Sequence, residues 1–407
     1  MSFNLFSITS MYSGSLELFY NSHPGLSGLS YSEHNSLLLK ETTEVAGSYI
    51  RNFRKLGVEA DCVVANDTIL LKKWARERGL KSDKINEILF DQVKSFSPDV
   101  LWIENLSFVT LDLLRQIRQQ VKCIRLIIGL HCAPFNSKVV DSIAGTDFII
   151  TCTPGIKSMI ESMGKKSYLV YHGFDTDLLQ RITDETDIPK TDFLFSGSLI
   201  TGGDFHTKRI RLIERILEEN IQMALFVNLD KNYRIKIKQS IYLFSTLLKK
   251  LKIEKMFEGF QFLKYGSTRV DSYSEALLKN QKPPVFGIDM FNLFLRSKIV
   301  LNFHVGAAGD YAGNMRMFEV TGVGSCLLTD NKKNMKDLFD LEREVVVYEN
   351  SEDCISKVKW LLDHEDERKS IALAGQQRTL RSHTVEDRCR LMVEIINAEL
   401  KSLSPAK

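Results

Sequence analysis

Short apolar or β-branched runs alternate with longer amphipathic segments along the chain, the pattern of parallel sheets whose strands are joined by crossover helices. In the first half the runs fall at 3–10, 61–66, 99–104, 123–129, 147–151 and 167–171. One strong helix is expected over 36–56, ended by Gly57 where a left-handed cap is favoured. Over 173–190 the pattern lapses into polar, proline-ended sequence, which predicts a hinge. A second strand series follows at 192–196, 223–228, 298–303, 325–329 and 344–348. Three helices are expected beyond Tyr348, the last over 385–401 behind Thr384 as N-cap, with Asp387 three residues on as in a capping box. The chain thus reads as α/β, with two Rossmann-like domains, 1–175 and 176–384, facing a central cleft, and a helical segment over 385–407.

Composition narrows this picture only a little. A chain of 407 residues, 44% hydrophobic and 26% charged, fits two or three globular domains rather than a disordered or fibrous protein. The net charge of +3 gives no general attraction to nucleic acid, and none is expected as a partner. Seven widely spaced cysteines without a C-x-x-C pair suggest neither a disulfide framework nor a zinc site, and four of them sit in apolar runs as small buried hydrophobes. The first residues do not read as a secretory signal and no run is long enough to span a membrane, so a cytoplasmic location is expected. Residues 231–266 are basic and amphipathic; a solvated crossover helix is the plainer reading, and peripheral contact with the inner face of a membrane is the second.

Ligands of open α/β sheets bind beyond the C-terminal ends of the strands, which directs attention to a few loops. After the strand at 298–303 comes a glycine-rich loop, HVGAAGDYAG, and then NMRMFEVTGVGSCLLTDNKKN, which begins as a helix at Asn314. Free N–H groups at that helix start favour an anion, and Arg316 and Glu319, three residues apart, share a face. A carboxylate there can take both hydroxyls of a ribose, and a guanidinium suits a phosphate. The plain alternative is an intrahelical ion pair on a solvated surface, worth roughly a few tenths of a kcal/mol. In SGSLITGGDFHTKR the positions Gly197, Ser198, Gly202, Gly203, His206, Lys208 and Arg209 are the candidates for holding a diphosphate, against a reading as a flexible loop with a basic helix start. His131 and His304 stand at strand ends, His172 at the domain junction, and Ser13 and Gly14 in a loop on the acceptor side, while the Tyr12 region and Trp74 suggest no chemistry. Motifs for metal, nucleotide triphosphate or serine-hydrolase chemistry are missing, so neither a metal nor a cofactor is expected.

The segments FSGSL near Phe195, LNFH at Leu301, NMRMFEVTGVGSCLLTDNKKNMKDLF from Asn314, EVVVYEN from Glu344 and GQQRTLRSHTVEDR from Gly375 resemble the C-terminal domain of the spore-maturation-protein-type glycosyltransferases. That group is related to the retaining family 4 glycosyltransferases of GT-B fold. The resemblance is dense over 192–388 and looser before 171. It implies a GT-B fold, a nucleoside diphosphate-sugar donor as co-substrate, and a glycan, lipid-linked glycan or protein acceptor. In the family 4 pattern two glutamates are separated by seven residues. The second resembles Glu319, on the ribose; the first falls at Tyr311, so Asp310 or Asn314 is expected to stand in beside the donor sugar. The resemblance further places Arg316 or Arg209 on the leaving diphosphate, His131 near the sugar, and the helix over 385–401 back across the first domain.

The expected activity is metal-independent transfer of a sugar from a nucleoside diphosphate donor, with retention at the anomeric carbon. Rival readings are a sugar-nucleotide epimerase of the same fold and a silent nucleotide-sugar-binding subunit. A nicotinamide-dependent oxidoreductase ranks lower, because the first strand is followed by MYSGSLELFYNSHPG rather than G-x-G-x-x-G.

Overall fold

The computed structural model describes residues 3–403 except 186, 189, 202, 203, 253–268, 305, 307 and 308. Each apolar run of the first half forms a strand: β1 (Asn4–Thr9), β2 (Glu59–Val64), β3 (Val100–Ile103), β4 (Leu126–Leu130), β5 (Phe148–Thr151) and β6 (Ser167–Leu169). They make one parallel sheet in the order β2-β1-β3-β4-β5-β6. The second series gives β7 (Thr191–Leu199), β8 (Ala224–Leu229), β9 (Gln281–Lys282), β10 (Ser297–Asn302), β11 (Cys326–Asp330) and β12 (Val346–Tyr348). This sheet is also parallel, in the order β12-β11-β10-β7-β8-β9. Only β9 escapes the hydrophobic pattern, because its two residues are polar and exposed at the sheet edge.

Apolar side chains line both faces of each sheet, as parallel strands require once helices cover them. Ile8, Leu101, Ile103, Ile127 and Ile149 face one core; Leu5, Val100, Trp102, Leu126 and Phe148 alternate with them to face another. In the second sheet Phe193, Phe195, Ile299 and Leu301 pack on one side, and Leu194, Val300 and Leu327 on the other.

The single helix expected over 36–56 is instead two, Tyr31–Glu41 and Val45–Lys55. The first opens with a capping box between Ser30 and Glu33, and the chain leaves helical geometry at Thr42. The Thr42 hydroxyl accepts the Glu44 N–H at 3.1 Å, a local bond that competes with helix continuation. Gly57 takes the left-handed conformation its position suggested, with φ +79°.

Phe174 begins the segment between the sheets and is fully buried in the second core. Its backbone pairs with the turn at Thr384, giving its N–H to His383 and accepting the N–H of Val385. From there the helix Val385–Ser402, opened by a capping box of Thr384 and Asp387, returns to the first sheet. Val385, Cys389, Met392, Ile396 and Leu400 complete the core that contains Trp102 and Phe148. Among the described residues no helix is long and apolar enough to cross a membrane.

Candidate functional site

The strand order of each sheet reverses once, between β1 and β3 in the first and between β7 and β10 in the second. In open α/β sheets a crevice forms at such a point, outside the C-terminal ends of the strands. Here the two crevices merge into a cavity of about 620 Å³. Tyr12, Ser13, Gly14, Glu44, Cys132, Cys152 and His172 line it from the first half, and Gly197, Ser198, Arg209, His304, Asn314, Arg316 and Glu319 from the second. The Phe286 ring lies against Gly14, so the two halves touch beside the opening.

Arg209 is 8% exposed. Its guanidinium donates to the carbonyl oxygens of Ser198 at 3.1 Å and Phe303 at 2.5 Å, and it lies over the Phe195 and Phe303 rings. Among the described residues it has no ion-pair partner, and its Nε has no hydrogen-bond partner. Burial pulls its pKa down to about 10, while the more distant Asp330 works in the opposite sense. The group stays charged at neutral pH. A buried cation held by carbonyl dipoles and ring faces, with no carboxylate in contact among the described residues, on a cavity wall beside Gly197 and Ser198, is electrostatically incomplete without an anion.

His304 follows β10. The Asp330 carboxylate accepts both its backbone N–H, at 2.9 Å, and its ring Nδ1–H, at 2.7 Å. Nδ1 therefore carries the proton in the neutral ring, and among the described residues Nε2 has no hydrogen-bond partner on the cavity wall. Asp330 is held below the usual carboxylate range: burial opposes its ionisation, but attraction to His304 and hydrogen bonds from it outweigh that penalty.

The helix Met315–Val323 begins at Asn314, whose side chain binds Asn302 at 2.6 Å and does not cap the helix. Its first-turn N–H groups are thus free of a side-chain cap at the cavity edge. Arg316 and Glu319 form the expected i,i+3 pair at 2.9 Å, but on a cavity wall rather than a solvated surface, their side chains 20% and 11% exposed. Arg316 also lies over Phe294, 4.5 Å from the ring centre. Gly313 packs where a β-carbon would come within 2.2 Å of Thr153 and 2.4 Å of the Cys152 carbonyl oxygen, so the absence of a side chain lets this loop meet the end of the first sheet.

Other expected site residues lie elsewhere. His131 is buried, with its ring on Phe135 at 4.5 Å, and burial pulls its pKa down to about 4. It does not line the cavity; the following residue, Cys132, does, because successive residues leaving a strand point to opposite sides. His206 is half-buried and Lys208 exposed on the helix Asp204–Glu218, both outside the cavity wall. Asp310 is exposed and paired with Lys333 at 2.9 Å, and the same lysine lies over Tyr311, so neither stands in the cavity. Of the two substitutes expected beside the donor sugar, the structure brings only Asn314 to the wall. Gly202 and Gly203, and Val305, Ala307 and Ala308 of the glycine-rich loop, fall outside the described residues.

Two features of the wall go beyond the sequence reading, which singled out only His172 among their residues. Glu44 sits in the break between the helices Tyr31–Glu41 and Val45–Lys55 and accepts the Tyr12 N–H at 3.0 Å. Burial raises its pKa from 4.5 to about 7, and the nearby Glu104 and Glu319 add to the rise. Cys132, Cys152 and His172 meet beyond β4, β5 and β6, and the Cys152 N–H donates to the Cys132 sulfur at 3.1 Å. Burial resists ionisation of Cys132, but hydrogen bonds from Cys152 and His172 draw its pKa down to about 6, whereas Cys152 is pushed up.

A protein-family profile described as "Glycosyl transferase-like" matches residues 241–394, less than half of the chain. No curated protein matches the sequence. Among solved structures, Alr3699/HepE of Anabaena in complex with UDP-glucose superposes with a TM-score of 0.59 at 10% identity, over 97% of this chain and 100% of that one. A glycosyltransferase from Rickettsia africae gives 0.53 at 10% identity, over 98% and 99%. Sucrose-phosphate synthase from Thermosynechococcus elongatus gives 0.55 at 8%, over 98% and 100%. At these identities the likeness is one of architecture, and the two facing parallel sheets are the GT-B fold.

Proposed function

We propose that this protein is a glycosyltransferase of the spore-maturation-protein type that takes a sugar from a nucleoside diphosphate donor. The observation that carries the reading is Arg209, a buried guanidinium with no ion-pair partner among the described residues, on the wall of a cavity formed where both sheets reverse their strand order. A diphosphate supplies the missing charge, and bonds to a guanidinium in a site sheltered from water strengthen as the leaving group gains charge. Gly197 and Ser198 line the cavity beside it, the ribose hydroxyls fall to Glu319, and Arg316 orients that carboxylate. His304 Nε2 and Asn314, both on the second-half wall, are assigned to the sugar. The matched family profile supports glycosyl transfer, and the structural neighbour solved with UDP-glucose makes a uridine diphosphate sugar the first donor to test.

The acceptor, a glycan, lipid-linked glycan or protein, is assigned to the first-half wall of the cavity, which Tyr12 and Glu44 line. We place transfer at the cytoplasmic face of a membrane. The helix Asn232–Lys250 supports this, exposing Tyr233, Ile237, Leu243 and Leu247 beside Lys236, Lys249 and Lys250; the rest of the basic stretch, 253–266, lies outside the described residues.

Retention at the anomeric carbon is the reading that follows the family resemblance. Glu44 favours a second one, since a cavity carboxylate with a pKa of about 7 is suited to take a proton from an attacking hydroxyl, which gives inversion. A panel of nucleoside diphosphate sugars, assayed for nucleoside diphosphate release with and without acceptor extract, tests the function, and the anomeric proton of the product tests the stereochemistry. Release that needs acceptor supports transfer. Binding without release under every condition means a silent binding subunit and sinks the proposal.

A further inference from the structure

We infer that Cys132, Cys152 and His172 form a three-ligand site for a thiophilic divalent metal, zinc first among them, with its fourth coordination position open to the cavity. The two sulfurs and an imidazole nitrogen all lie within 4.8 Å of one another. Zinc bonds of about 2.3 Å to sulfur and 2.0–2.1 Å to nitrogen set tetrahedral ligands roughly 3.5 to 3.8 Å apart, so closing the site needs side-chain shifts of about an ångström. Two thiolates and one imidazole are a ligand set that selects zinc over magnesium or calcium.

The placement comes from the fold. Cys132 follows β4, Cys152 follows β5 and His172 follows β6, so three adjacent parallel strands deliver one ligand each to the same end of the sheet. The intervals are equal, 20 residues each, one strand-and-helix unit per step. Short-spaced motifs such as C-x-x-C cannot reveal a site built this way. The Cys152 N–H that donates to the Cys132 sulfur is the kind of outer contact that holds a metal-bound thiolate in place. Cys152 is buried, while Cys132 and His172 are half-buried, and all three line the cavity, which leaves one approach open for water or a ligand oxygen. The site lies on the first-half wall, separate from Arg209 and the proposed diphosphate, so it does not depend on the transferase reading.

The full-length protein, purified under reducing conditions without chelator, loaded with zinc chloride and desalted, is assayed for metal by plasma mass spectrometry. Zinc retained in equimolar amount is expected, with affinity lowered in Cys132→Ser, Cys152→Ser and His172→Ala by more than the roughly 10- to 100-fold that loss of an outer contact costs. Cys123→Ser, an exposed cysteine that does not line the cavity, should bind as the parent does. Cobalt in place of zinc should give a thiolate-to-metal charge-transfer band, and that spectrum of the unaltered protein decides the matter if the variants do not fold. Zinc lost on desalting, zinc held equally by all three variants, cobalt without a thiolate band, or a Cys132–Cys152 disulfide in the reduced, metal-free preparation would each overturn the site.

Discussion

Arg209 is costly to keep where it is. A guanidinium at 8% exposure, bonded to two carbonyl oxygens and no carboxylate, gives up hydration that dipoles only partly replace. Arg209→Ala is therefore expected to leave the melting temperature unchanged or raised, while turnover of the proposed donor falls about 100-fold or more. Thermal melts and steady-state assays on one preparation check both halves, and a variant with lower stability and full turnover would make the residue structural. Glu44 is strained in the opposite sense, a carboxylate that prefers its proton. With its pKa raised from 4.5 to about 7, the folded protein binds more protons than the unfolded chain between those values. Stability linked to Glu44 is then undiminished below pH 4.5 and is lost as pH rises through about 7. Glu44→Gln should stabilise the protein by on the order of 3 kcal/mol at about pH 8 and by little near pH 4.5. Urea titrations at the two pH values measure this, and equal effects at both would exclude the shift. Arg316 and Glu319 were legible in sequence because their three-residue spacing is local. Glu44 was not, since only the fold brings it to Tyr12.

Strands were legible because a parallel strand is apolar on both faces and helices are not, a contrast that survives without tertiary information. The break at Thr42 was not legible. Residues 36–56 carry helical periodicity throughout, and what interrupts it is a side-chain-to-backbone bond from Thr42 to Glu44 together with burial of Thr42. His131 shows a related limit: sequence located the strand end but not that Cys132, rather than His131, lines the cavity. The loop before the helix Met315–Val323 gives a test at this scale. Gly313→Ala puts a methyl group 2.4 Å from the Cys152 carbonyl oxygen, and backbone there cannot yield easily. A loss of about 1 to 3 kcal/mol is expected, together with weaker donor binding as the helix start shifts. Calorimetric melts and equilibrium binding check it, and an unchanged melting temperature would mean that loop and sheet end are not in firm contact.

The whole molecule is joined twice, through the segment that begins at Phe174 and through the helix Val385–Ser402. The helix contributes five buried side chains to the first core, each worth roughly 1.5 to 3 kcal/mol for the larger ones, a sum comparable to the entire stability of an ordinary domain. Removing residues 385–403 should therefore leave the first half without a cooperative melt and the protein prone to aggregate. Circular dichroism melts and sedimentation check this, and a truncated chain that melts as sharply as the parent would show the helix to be dispensable.

That helix also sets an order of events during synthesis. Its side chains follow both sheets out of the ribosome, yet they belong to the same core as Leu5 and Trp102, which precede them. At about 5 to 20 residues per second the first sheet waits tens of seconds for its missing layer. Meanwhile the second sheet, self-contained in its strand pairing, is translated and free to fold. The half encoded first is thus the half completed last, and a message cut short before Val385 yields a nascent chain whose earliest strands stay open to chaperones and proteases.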